Sequence, residues 1–354
     1  MEKVKIIVGL SGGVDSSVTA YLLQKQGYEV IGVTMQTRGE ESGQGNNFQA
    51  VEDAARVAKQ LGIAHYVMDF TDVFRRHVMD TFTEAYFCGR TPNPCVSCNR
   101  YVKWQALLEQ GKALGAHLVA TGHYANIEMH PQSGRLTLRM SQAKAKDQTY
   151  VLYDLTQEQL AATKMPLGQY TKDEVRKMAQ ELGIAVAEKP DSMEICFIPD
   201  HDYGAFLQRY GKKKAVCGSF VDQEGHVLGQ HKGIIHYTIG QRKGLGIALG
   251  RPMFVGEIRP EKNEVVLCDN ESLFHRVVYA KNVNWMGWAS VSKPSRAEAK
   301  IRYSHPKAAC TVELVGDWIK CTFDEPQRAM TPGQALVVYD GDYVACGGTI
   351  EKTE

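Results

Sequence analysis

The chain has 354 residues, 44% hydrophobic and 23% charged, with a formal net charge of +1 and nine cysteines. That length supports about two to three domains, and the near-neutral balance leaves any nucleic-acid contact to a local patch. An odd number of scattered cysteines behind a start without signal-peptide organisation argues against a secreted disulfide framework, so reduced thiols are the expectation. No apolar run approaches the ~20 residues that span a bilayer, so the expectation is a cytoplasmic protein with no membrane partner.

Lys3–Leu10 reads as a buried strand, Ser11–Asp15 as a tight loop, and Ser16–Gln26 as a helix stopped by Gly27. Tyr28–Met35 is a second strand, Phe48–Leu61 a helix closed by Gly62, His65–Asp69 a third strand and Asp72–Tyr86 helical. A helix holding Leu107 and Leu108 precedes the strand Leu118–Thr121. This alternation predicts an α/β fold: a Rossmann-like domain with a parallel sheet covered on both faces. Ligands of such sheets sit at the carboxyl ends of the strands. Further helices fall near Glu158–Thr163 and Lys172–Leu182. Beyond about Tyr210, short Gly-rich strands and recurrent turn signals take over. The expected division is a catalytic domain over 1–210, a small β-rich domain over 211–274 and a C-terminal β-barrel over 275–354. Thr37–Asn47 has the composition of a mobile loop.

The most specific string is Gly9-Leu10-Ser11-Gly12-Gly13-Val14-Asp15-Ser16-Ser17, placed between a strand and a helix. Glycines let the backbone approach a phosphate, and the helix start offers N–H groups and a positive dipole end. The serines add hydroxyl donors, and Asp15 can hold Mg2+ bridging phosphate oxygens. No Gly-Lys-Ser/Thr follows, so this is not a Walker loop. The string resembles the PP-loop of the ATP pyrophosphatase superfamily. That resemblance implies cleavage of ATP between its α and β phosphates and transfer of AMP to a substrate oxygen. It does not choose the substrate.

Two cysteine segments do. The first is Thr91-Pro92-Asn93-Pro94-Cys95-Val96-Ser97-Cys98-Asn99-Arg100, followed by Lys103. A helix is expected to start just after Cys98, and a thiol at a helix amino terminus near Arg100 and Lys103 should have a lowered pKa. The second is Lys189-Pro190-Asp191-Ser192-Met193-Glu194-Ile195-Cys196-Phe197-Ile198, where apolar neighbours alone would suggest a buried cysteine. For Cys88, Cys217, Cys268, Cys310, Cys321 and Cys346 the expectation is core packing.

With Ala120-Thr121-Gly122-His123-Tyr124, these motifs resemble the tRNA-specific 2-thiouridylases along the whole chain. The resemblance implies that Gly9, Leu10, Ser11, Gly12, Gly13, Val14, Asp15, Ser16, Met35 and Gly122 bind ATP with Mg2+. It implies that the C2 oxygen of the wobble uridine is adenylated. Cys196 would carry a persulfide received from a sulfur-relay protein or cysteine desulfurase. Cys98 would be the partner thiol, closing a transient disulfide with Cys196. It further implies tRNA contacts at Asn93, Pro94, Cys95, His123, Lys146, Asp147, Gln148, Thr149, Arg302, Tyr303 and Gln334, with the Lys, Glu and Gln isoacceptors as substrates.

One departure matters. Many family members have Asp where this chain has Cys95. The change creates a Cys95-x-x-Cys98 pair, and with Cys196 gives three thiols that can hold a 4Fe–4S cluster with one iron open to sulfide. Cluster-delivered sulfide is therefore the alternative to persulfide chemistry. Between Arg276 and Lys307, seven Lys and Arg residues face a single acid, Glu298, with Trp285, Trp288 and Tyr303 interleaved. That run is the expected tRNA surface. Two rival classes are a PP-loop ligase acting on a small molecule, which needs no cysteines, and a non-enzymatic RNA-binding module, which needs no Asp15.

Overall fold

The computed structural model describes residues 3–37, 48–184 and 195–354. Residues 38–47, nearly all of the expected mobile loop, and Lys189–Glu194 of the second cysteine motif lie outside the described residues.

Seven strands belong to the first part of the chain: β1 (Lys5–Gly9), β2 (Glu29–Gln36), β3 (Ala64–Asp69), β4 (Leu118–Ala120), β5 (Asn126–Met129), β6 (Leu136–Arg139) and β7 (Thr163–Lys164). Five of them form a parallel sheet in the order β3-β2-β1-β4-β7. Ile6, Ile7 and Val8 of β1 are at most 1% exposed, as expected of a central strand covered on both faces. Helix Val14–Lys25 buries Val14, Val18, Leu22 and Leu23 against one face together with Thr19 and Ala20. The strand order reverses between β1 and β4, so a crevice opens where their carboxyl ends diverge. The loops leaving those two strands are 10–13 and 121–124.

The helix expected over Asp72–Tyr86 runs from Thr71 to Phe87 in three segments, Thr71–Phe74, a π-helical Arg75–Asp80 and Thr81–Phe87. A second correction concerns the first cysteine motif. Its helix starts at Pro94, not after Cys98, with Asn93 as the cap, its Oδ1 accepting from the Cys95 N–H at 3.1 Å. Proline suits the first helical turn because its missing N–H would be unpaired there anyway.

The middle sheet contains β8 (Gly218–Val221), β9 (Val227–His231), β10 (Phe254–Arg259) and β11 (Glu264–Cys268) in the order β10-β11-β8-β9. The last part adds β12 (Phe274–Trp285), β13 (Ser295–Lys300), β14 (Ala308–Val315), β15 (Trp318–Arg328), β16 (Ala335–Asp340) and β17 (Tyr343–Thr353). These pair as β12-β15-β14-β13-β16-β17, and β12 pairs again with β17 to close a six-stranded barrel. The barrel interior is filled by Val278, Ile319, Phe323, Leu336, Val338 and Ile350 among others.

The hairpin β5–β6, absent from the sequence reading, joins this last sheet rather than the parallel one, through Tyr343 against Arg139. Arg135 donates to the Met286 and Trp285 carbonyls, and Asn284 Nδ2 donates to the Tyr153 and Leu155 carbonyls. One core runs through the junction, with Trp104, Tyr150 and Tyr153 packing alongside Val337, Tyr339 and Val344. The first part of the chain and the barrel therefore hold each other in place.

Candidate active site

The loop after β1 folds on itself. The Ser16 hydroxyl accepts the Ser11 N–H at 3.2 Å, and the Ser17 hydroxyl donates to the Gly13 carbonyl at 2.8 Å. Gly12 stands at φ +70°, and a Cβ there would meet the Ala50 carbonyl at 2.7 Å, so both conformation and space demand glycine. Gly122, in the loop after β4, lies directly against the start of the helix after β1. A Cβ on it would sit 2.8 Å from the Asp15 carbonyl carbon and the Ser16 nitrogen. The Met35 methyl would lie 3.5 Å from a Cβ at Gly9. The candidate nucleotide residues Gly9 to Ser16, Met35 and Gly122 are thus brought together at the crevice.

Asp15, in the first turn of the helix after the loop, has partners the sequence did not suggest. Lys172 Nζ donates to both of its carboxylate oxygens at 2.8 and 2.9 Å, and the Tyr124 hydroxyl donates to Oδ1 at 2.9 Å. Asp15 and Lys172 are 157 positions apart, so no local spacing announces the pair.

His123 leads from the cradle to the thiols. It is 8% exposed, and burial, reinforced by nearby Lys103, holds its imidazole well below its ordinary pKa, hence neutral. Lys103 can only donate, so its 3.5 Å contact makes His123 Nε2 the acceptor and places the ring proton on Nδ1, 2.7 Å from the Thr121 hydroxyl. Lys103 also faces Cys98. Burial pushes the Cys98 thiol up to about 12, Lys103 pulls it back, and neighbouring Cys196 and Cys95 raise it further. The residue as a whole is half-buried while its sulfur lies deep. This overturns the expected low pKa: Cys98 sits one turn inside its helix, where desolvation outweighs the single cation.

Cys95 and Cys98, one helical turn apart, and Cys196 act on one another electrostatically, so the three thiols share one region. Cys196 is exposed. Its neighbour Phe197 is the buried one, packed edge-on to Phe74 at 5.7 Å and Phe82 at 5.3 Å and tilted against Phe206 at 5.2 Å. The phenylalanine anchors the turn and leaves the cysteine outward. Of the six cysteines expected in cores, Cys268, Cys310, Cys321 and Cys346 are buried, whereas Cys88 and Cys217 are exposed.

The candidate tRNA residues divide. Tyr303 is 43% exposed and close enough to Cys95 and Asp147 for both to act on its hydroxyl; its ring stands 6.1 Å from that of Tyr150. Asp147 and Thr149 are buried and bonded to one another, and Asp147 also accepts the Ser141 N–H at 2.9 Å. Gln148 exchanges bonds with the Tyr124 backbone and shapes the same turn, which carries Lys146. Arg302 Nη2 donates to the Ile239 and Ala329 carbonyls and the Thr331 hydroxyl at 3.0, 2.8 and 2.6 Å, tying the middle domain to the barrel. Gln334 Nε2 donates to the Thr91 carbonyl at 2.6 Å, beside Asn93 and Pro94, which line a cavity of about 170 Å³ with Thr81, Arg90, Ser97 and Tyr153. A larger cleft of about 430 Å³ lies in the middle domain between Arg242 and Met253, away from loop and thiols.

Part of the expected basic run is engaged within the barrel. Arg296 is paired with Asp324 and Lys307 with Glu298, while Lys281 lies 4.2 Å over the Trp318 ring. Trp285 and Trp288 pack against the barrel core. Strand alternation and pairing across the barrel scatter charges that are contiguous in sequence.

A β1-loop-helix cradle at the switch point of a parallel sheet, with thiols beside it, defines a PP-loop enzyme equipped for sulfur chemistry. Residues 4–200 match the family described as tRNA methyl transferase HUP domain, 204–269 its PRC-barrel domain, and 275–350 the aminomethyltransferase beta-barrel domain. The tRNA-specific 2-thiouridylase MnmA of Lachnoclostridium phytofermentans is 54% identical over 356 residues, covering 98% of this chain and 99% of that one. Its counterparts from Clostridioides difficile and Clostridium acetobutylicum are 51% and 49% identical, with 99% and 98% of this chain covered and 98% and 99% of theirs. The chain belongs to the tRNA-specific 2-thiouridylase family. No helix among the described residues is long and apolar enough to cross a membrane.

Proposed function

We propose that the chain is a tRNA-uridine 2-sulfurtransferase that uses ATP to replace the C2 oxygen of the wobble uridine with sulfur. The observation that carries this reading is the unbroken path from cradle to thiols: Gly122 against Asp15 and Ser16, His123 against Lys103, and Lys103 facing Cys98 with Cys95 and Cys196 alongside. The uridine C2 oxygen attacks the α-phosphate of ATP, and pyrophosphate leaves. The terminal sulfur of a Cys196 persulfide then attacks C2, and AMP leaves with the oxygen. The Cys98 sulfur attacks the inner Cys196 sulfur as its proton passes to the departing thiouridine, breaking the bond to the transferred sulfur and closing a disulfide. Asp15 offers hard carboxylate oxygens suited to Mg2+, which would neutralise phosphate charge. Tyr303, Asn93 and Pro94 border the thiol end, where an extruded pyrimidine would be held. The tRNA isoacceptors are proposed to be those for Lys, Glu and Gln, the sulfur donor a relay protein or cysteine desulfurase, and the location cytoplasmic.

The family description speaks of methyl transfer; thiols beside an ATP loop favour thiolation. A second reading keeps the reaction and changes the sulfur source. Cys95 stands beside Cys98 and Cys196, and three thiolates suit a 4Fe–4S cluster whose open iron would supply sulfide. Incubation with ATP, a sulfur source and unmodified tRNA, followed by mass spectrometry, should yield 2-thiouridine. No 2-thiouridine from an active preparation would remove the proposal. Anaerobic purification with iron and acid-labile sulfide analysis separates the two sulfur routes: an iron-free protein that still thiolates tRNA eliminates the cluster.

A further inference from the structure

The segment leading to the first two thiols is fastened by the barrel. Arg90 grips Glu351 of β17 with both ends of its guanidinium, Nη1 donating to Oε2 at 2.8 Å and Nη2 to Oε1 at 2.6 Å. Nη2 also donates to the Ile350 carbonyl at 3.3 Å. The two side chains are 31% and 23% exposed, and a bidentate contact of this kind fixes direction as well as distance. Thr91 is held three times over. Its N–H donates to the Pro332 carbonyl at 2.9 Å, its carbonyl accepts from Gln334 Nε2 at 2.6 Å, and its hydroxyl donates to the Thr238 hydroxyl at 3.3 Å. Gly333 lets the barrel turn come this close: it stands at φ +94°, and a Cβ there would lie 3.0 Å from the Thr91 nitrogen.

Two prolines carry the hold forward. Pro92 and Pro94 have a fixed φ and restrict the residue before each, so Thr91 to Cys95 is a stiff run. It ends in the helix that bears Cys95 and Cys98. The run lines the cavity of about 170 Å³, whose other walls include Val78 and Phe82 on one side and Ala335 and Thr349 of the barrel on another. Space of that size is not close packing, so packing alone does not set the height of the run. The barrel contacts do.

We infer that Arg90 and Glu351 are a positioning pair that holds the thiol-bearing turn where Cys98 can act on Cys196. The inference rests on the sulfur-transfer reading above and deepens it. The pair acts through the turn, not on the reacting atoms. Once released, the run settles toward the cavity and takes Cys98 with it, and a displacement of about 1 Å is enough to slow a reaction on the order of a hundredfold. The barrel thus serves the chemistry by bracing the thiols, through a carboxylate 261 positions from its arginine.

The test joins steady-state thiolation of tRNA to alkylation of Cys98 by iodoacetamide at pH 8, read by peptide mass spectrometry. Arg90→Met should lower kcat for 2-thiouridine formation at least tenfold while KM for tRNA stays within threefold. It should also raise the alkylation rate of Cys98 at least threefold, because the turn is no longer braced. The exchanged pair, Arg90→Glu with Glu351→Arg, should recover most of both losses. Arg90→Lys, which keeps the charge and gives up one of the two parallel bonds, should shift both readouts severalfold in the same directions, and it carries the test should the methionine variant not fold. An unchanged kcat, a loss confined to KM, or Cys98 reactivity that does not move overturns the inference and leaves the sulfur-transfer reading standing. A native protein that thiolates no tRNA removes that reading, while the alkylation rates, which need no tRNA, still decide whether the pair braces the turn.

Discussion

The loop after β1 and the basic run of the barrel both stood out in the sequence, and they fare differently in the fold. The loop works through backbone N–H groups and a helix start, which a contiguous string determines once strand and helix flank it. The basic run depends on side chains along antiparallel strands, whose directions alternate and whose neighbours come from elsewhere. Arg296 finds Asp324, 28 positions on, and Arg302 finds carbonyls of two other segments. A motif built from main chain is carried by its own segment; one built from charge also depends on partners that other strands supply.

That contrast can be broken at several points. The largest effect is expected at Gly122. An alanine there would press on the Asp15 and Ser16 backbone, so Gly122→Ala should weaken ATP binding about a hundredfold by calorimetry, roughly 2.7 kcal/mol. Near-native affinity would mean the loop yields easily. Arg302→Ala should lower stability by about 2–3 kcal/mol in urea unfolding, because three acceptors lose their donor. The salt dependence of tRNA binding should hardly change; a marked drop would restore Arg302 as a phosphate contact.

Alkylation sharpens the thiol end. Cys98, its thiol pushed up to about 12, should react with iodoacetamide at pH 8 at least tenfold more slowly than exposed Cys196, and accelerate as pH climbs. The same shift makes its contribution to stability fully present below about pH 9 and lost as pH rises toward about 12, because the unfolded thiol ionises first. Equal alkylation rates would contradict the burial. The smallest effect is expected from Arg296→Ala, which removes an exposed ion pair that solvent and salt screen. Its tRNA affinity should match that of the native protein.

Legibility follows the same line. β1, its loop and the next helix were readable because strand period, glycines and helix start lie within some twenty residues. The β5–β6 hairpin was not, since its four-residue strands are only partly buried and its partner strand lies some two hundred residues downstream. Lys172 was hidden for the same reason, although a lysine at the first position of a helix with a capping box was a visible anomaly. The raised Cys98 thiol depended on where the helix began, and Asn93-Pro94 was the cap signal that placed it.

The most direct measurement separates the two half-reactions in the Cys98→Ser, Cys196→Ser double variant. With ATP and unmodified tRNA it should still release pyrophosphate in a tRNA-dependent manner while forming no 2-thiouridine. Thiolation by that variant at the native rate would contradict the account.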